Sequence, residues 1–64
     1  MFIDYINEKY EENELSRQEY LAIRLSFFKN EESVPKTMQF ISNEFSEDMA
    51  GRLNRIIEKY LEGK

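Results

Sequence analysis

Arg52, Arg55 and Lys59 recur three and four residues apart near the end of a 64-residue chain. On a helix that spacing puts all three cations on one stripe. Arginine presents a planar fork of donors that matches phosphate, so such a stripe can follow an anionic ligand or a nucleic-acid backbone. The stripe is also what an ordinary solvated face looks like, because Glu58 and Glu62 lie close enough to neutralise it. Its setting adds a nucleic-acid reading: a helix over 37–45, a short turn at Ser46 and a second helix over 47–62 follow the order of a helix-turn-helix reader. In that reading Asn54 or a neighbour would meet a base edge, while Glu47 and Asp48 at the helix tip would repel phosphate.

The residue types needed for other chemistry are missing. With no histidine, the chain lacks the side chain whose ordinary pKa suits proton transfer near neutrality and the commonest metal ligand. With no cysteine it has neither a disulfide framework nor a thiolate zinc site. The glutamates fall on polar helix faces, where solvation explains them, and there is no glycine-rich phosphate loop. The sequence therefore predicts a protein that is not an enzyme, with no cofactor and no metal.

Thirteen acidic residues against nine basic give a net charge of −4, which argues against coating nucleic acid or an anionic membrane by bulk charge. Glu8, Glu11, Glu12 and Glu14, with Glu31 and Glu32, could instead imitate a nucleic-acid backbone and occupy a basic site on another protein. No apolar run approaches the ~20 residues of a membrane span. Met1-Phe2-Ile3-Asp4 lacks the basic start and apolar stretch of a signal peptide, so the cytoplasm is the default location.

The elements that must position these residues are helices, because no stretch alternates apolar and polar residues for the length of a strand. Phe2, Ile3, Ile6 and Tyr10 mark the first, with Glu11, Glu12 and Glu14 crowding the end where the helix dipole disfavours them, so that it should fray before Leu15. Ser16-Arg17-Gln18-Glu19 is a capping box and starts the second. This helix has two apolar faces, Tyr20-Ile23-Phe27 and Leu21-Leu25-Phe28, with Arg24 between them, and is expected to contact neighbours on both. Arg24 must snorkel along its methylenes, pair with a carboxylate, or touch a ligand.

Val34-Pro35 signals a third helix start, with Thr37 as an alternative cap. The stripe Met38, Ile41, Phe45, Met49, Leu53, Ile56 and Tyr60 permits one helix of about 42 Å from Pro35 to Glu62. Ser46 followed by Glu47 and Asp48 nevertheless resembles a fresh N-cap and predicts a break there. Within 47–62 the Met49-Leu53-Ile56-Tyr60 spacing suits either a core-facing helix, the first expectation, or a short dimer seam. Gly63 fits as its C-cap, with Lys59 and Lys64 placed to complement the dipole.

The resulting expectation is a single all-α domain over 1–64, a compact bundle of three to four short helices, with homodimerisation as one way to complete it. A domain this small buries only ~60% of the surface its unfolded chain exposes. Five Phe and four Tyr exceed what such a core readily hides. The leading functional expectation is accordingly a small acidic interaction or regulatory protein that docks an apolar-aromatic helix face on a protein partner or on itself. Tyr5, Tyr20, Arg24 and Phe40 are the candidate partner contacts. A helix-turn-helix transcriptional regulator using Arg52, Arg55 and Lys59 is the second reading, and an acidic nucleic-acid mimic the third.

Overall fold

A computed structural model describes residues 1–63 and contains four helices: α1 (Phe2–Glu11), α2 (Arg17–Lys29), α3 (Val34–Glu44) and α4 (Glu47–Glu62). No strand occurs among the described residues. Each helix packs on the next along the chain, and α4 returns to α1 through its C-terminal half. The molecule measures 27 × 22 × 20 Å with a radius of gyration of 10.5 Å, the size of a fully compacted chain of this length.

The helix boundaries are written in local sequence. α1 ends on Asn13, whose φ of 64° is left-handed; the Asn13 amide donates to the Tyr10 carbonyl and the Glu14 amide to the Lys9 carbonyl. That pair of bonds is a Schellman closure, for which asparagine is the usual substitute for glycine. The helix thus stops sharply where fraying was expected, and Lys9 gathers Glu12 and Glu14 at 3.3 and 3.5 Å. At α2 the capping box forms in both directions: the Glu19 amide donates to Ser16 Oγ at 3.1 Å, and the Ser16 amide to Glu19 Oε1 at 2.9 Å. α2 closes with the Glu32 amide on the Phe27 carbonyl, which places Glu31 and Glu32 at φ of 61° and 55°.

Ser33 caps α3, and Pro35 occupies its first turn. Thr37 is not a cap: it is fully buried within the helix, and its hydroxyl donates to the Ser33 carbonyl. The break at Ser46 is present. Phe45 is extended, Ser46 Oγ accepts from the Met49 amide at 3.3 Å, and Glu47 and Asp48 occupy the first turn of α4. Gly63 does follow α4 as its C-cap, but with φ of −75°, so no left-handed conformation requires glycine there. The expectation for Lys64 lies outside the described residues.

One core unites the helices: Phe2 and Ile6 of α1, Leu15 from the first connection, Ile23 and Phe27 of α2, Ile41 of α3, and Ala50, Leu53 and Ile57 of α4. Leu53 is fully buried, with Met49, Ile56 and Tyr60 packed on the core beside it. The heptad-spaced row of α4 therefore faces the core of this chain, as the core-facing expectation has it. No helix among the described residues is long and apolar enough to cross a membrane.

Candidate functional sites on α2 and α4

The basic stripe of α4 is exposed along its length, yet its members differ. Arg52 Nε donates to Glu19 Oε2 at 2.9 Å, linking α4 to the capped start of α2. Glu19 thus serves three bonds at once. The Ser16 amide, and after it the Ser16 hydroxyl and Arg52, hold its carboxyl below the ordinary 4.5 despite partial burial. Arg55 and Lys59 make no ion pair with a described residue and point to solvent.

Asn54, the residue expected to reach a base edge, is turned inward: its Nδ2 donates to Ser42 Oγ at 2.9 Å and to the Met38 carbonyl at 3.3 Å. It fastens α4 to α3. Beside it an open groove runs between the two helices, lined by Ser42, Phe45, Glu47, Gly51, Arg55 and Glu58 among others. The helix, tight turn and second helix are all present. Among the described residues, however, the outer face they offer to a nucleic acid retains two cations without an ion pair, Arg55 and Lys59, among four acids, Glu47, Asp48, Glu58 and Glu62.

The aromatic candidates are largely occupied by the fold. Tyr5 is half-buried against the Tyr60 ring at 5.1 Å, and its hydroxyl donates to the Ile56 carbonyl at 2.8 Å, bracing α1 against α4. Burial pushes its phenol above the usual 10, partly opposed by Lys9, whose ammonium lies 5.3 Å from the ring. Tyr20 stacks on Tyr10 at 4.3 Å and an interplanar angle of 8°, while its hydroxyl donates to Asn7 Oδ1. That same hydroxyl accepts from Arg24 Nη1 at 3.0 Å.

Arg24 is thus neither ion-paired nor simply snorkelling. Its guanidinium rests 5.4 Å from the Tyr20 ring and 5.8 Å from Phe28, with Nε buried and unpartnered. Cation–π contact takes the place of a carboxylate. Phe40 is half-buried under Lys29, whose ammonium is 5.6 Å from its ring, and meets Phe45 edge-on at 6.5 Å. The acid run is partly neutralised as well, since Glu12 and Glu14 share Lys9, and Glu31 pairs with Lys36.

Leu21, Leu25 and Phe28 form the surface that the helical wheel did not place correctly. α2 does meet two neighbours, α1 and α3, but neither covers this second apolar face. These three side chains are 42%, 65% and 48% exposed in a row down the outer face. Their four-and-three spacing makes the stripe continuous across two turns, unlike scattered surface leucines that need no explanation. Arg17 and Arg24 flank it on one side and Lys29 on the other, and none of the three is ion-paired among the described residues. The signal was available in the sequence as the second apolar face of α2, although nothing local said that the bundle would leave it uncovered. No family model matches the chain, and no curated protein or solved structure does either.

Proposed function

We propose that this is a small helical interaction protein that docks the outer face of α2 on a protein partner. The uncovered Leu21-Leu25-Phe28 stripe supports this reading most directly. Leaving a Leu or Phe side chain wholly in water forgoes roughly 1.5–3 kcal/mol of transfer free energy, and these half-exposed side chains forgo about half of that each. A chain of 64 residues, already short of core, has little reason to line up three such side chains unless something else covers them. The partner contact shifts accordingly from Tyr5 and Tyr20, which brace α1, to the α2 stripe, with Arg24 retained at its margin.

Regulation by nucleic-acid binding is the second reading, supported by Arg55 and Lys59, which are free to meet phosphates. Inward-facing Asn54 and ion-paired Arg52 leave it the weaker of the two.

The docking reading is tested by crosslinking inside the source cells with the native chain and with Leu25→Ser, after circular dichroism has shown that both are equally folded. Crosslinks to a protein, or between copies, that disappear in Leu25→Ser support it. An identical crosslink pattern in the two chains removes the α2 face from function.

A further inference from the structure

We infer that the occupant of the α2 face is an acidic amphipathic helix of another protein, an inference that rests on the docking reading above. α2 carries three cations, Arg17, Arg24 and Lys29, against one acid, Glu19, in a chain whose net charge is −4. Glu19 is already committed to the Ser16 cap and to Arg52, away from the stripe. The apolar row is therefore bordered on both sides by cations with no ion-pairing partner among the described residues.

Placed on a heptad, Leu21, Leu25 and Phe28 take the seam positions, Arg17 and Arg24 one flank, and Lys29 the other. A helix laid along this seam presents its own flanking positions to those cations, and glutamate or aspartate there satisfies them. A second copy of this chain does not. In an antiparallel pair Arg24 would face Arg24, and in a parallel pair Arg24 would face Lys29, so like charges would meet in both arrangements. Nor is an anionic bilayer favoured, since the rest of the molecule is acidic and three apolar side chains give shallow insertion.

The probe is a synthetic helix-forming peptide with leucine at heptad a and d positions and glutamate at e and g, compared with its counterpart carrying lysine at e and g. Amide shifts of the full chain are followed by NMR as each peptide is added. The glutamate peptide should shift the Leu21, Leu25 and Phe28 amides with micromolar affinity, and the lysine peptide should not bind. Leu25→Ser should weaken the glutamate peptide by about tenfold or more. Arg17→Glu with Lys29→Glu, both at exposed positions, should reverse the preference between the peptides.

Absence of α2 shifts up to about 1 mM glutamate peptide, a dissociation constant too weak for a specific contact, overturns the inference. So does equal binding of the two peptides. Sedimentation of the chain alone and flotation with phosphatidylglycerol vesicles separate the remaining cases. Self-association that Leu25→Ser abolishes would overturn the acidic-helix occupant while leaving the docking reading standing. Vesicle binding that the same substitution abolishes would overturn both.

Discussion

α2 and α4 carry similar parts and use them oppositely. Each combines an N-terminal serine cap, an apolar row at four-and-three spacing and a set of cations on the same helix. In α4 the row is turned into the core, with Leu53 and Ile57 fully buried, and the cations face solvent or Glu19. In α2 one row is buried through Ile23 and Phe27, but the second stays in water with its cations beside it. α4 is met on its apolar side by both α3 and α1; α2 also has two neighbours, α1 and α3, but among the described residues none covers its outer face.

The strongest way to break this contrast is to delete the same side chain from each row. Leu53→Ala should cost about 3 kcal/mol, by loss of burial and creation of a cavity, and take most of the stability of so small a domain. Leu25→Ala should stay within about 0.5 kcal/mol. Urea titration followed by circular dichroism measures both, and similar losses would mean that the α2 row is covered in solution.

The caps come next. Ser16→Ala should cost about 1 kcal/mol, since it leaves the Glu19 amide without its acceptor and slackens the carboxylate that Arg52 also uses. Acidification reports on the same corner. Because Glu19 is held below 4.5 in the fold, its contribution to stability is complete above that value and is lost as the pH falls through the lowered native one. In Glu19→Gln that part of the acid dependence should vanish from a series of urea midpoints, while loss of the capping carboxylate lowers stability at neutral pH.

Gly51 sharpens the comparison in the other direction. It sits in the exposed middle of α4, where an added Cβ would meet nothing within 4 Å. Gly51→Ala should therefore raise stability by about 0.5–1 kcal/mol, visible as a higher urea midpoint. The smallest effect belongs to the stripe itself. Arg52→Ala should cost about 0.2–1 kcal/mol through the exposed pair with Glu19, and Arg55→Ala nothing measurable. Anisotropy of a labelled DNA duplex at low salt gives Arg55 its second reading. Salt-sensitive binding that Arg55→Ala weakens would move function from α2 to α4.

The helices and their limits were legible because their causes lie within a few residues. Ser16 with Glu19 forms its box, Ser46 with two acids opens α4, and Pro35 stands in the first turn of α3, each acting on amides that are its immediate neighbours. The Schellman stop at Asn13 was written just as locally, although the crowded glutamates around it masked the signal. The candidate sites were less legible. Arg52, Arg55 and Lys59 do share a face, but only the packed structure sends Arg52 to Glu19 across 33 residues of chain and leaves Arg55 free. Tyr5 and Tyr20 read as surplus aromatics until α4 and Asn7 are brought within reach of their hydroxyls.

The sequence by itself determined the secondary structure, the break at Ser46 and the absence of histidine and cysteine chemistry, because caps, periodicity and residue type act through bonds and nearest neighbours. Only the tertiary structure decided which of two apolar faces on α2 entered the core and which stayed in water. Periodicity defines a face without naming what lies opposite it, and that choice depends on how many helices can meet around one small centre.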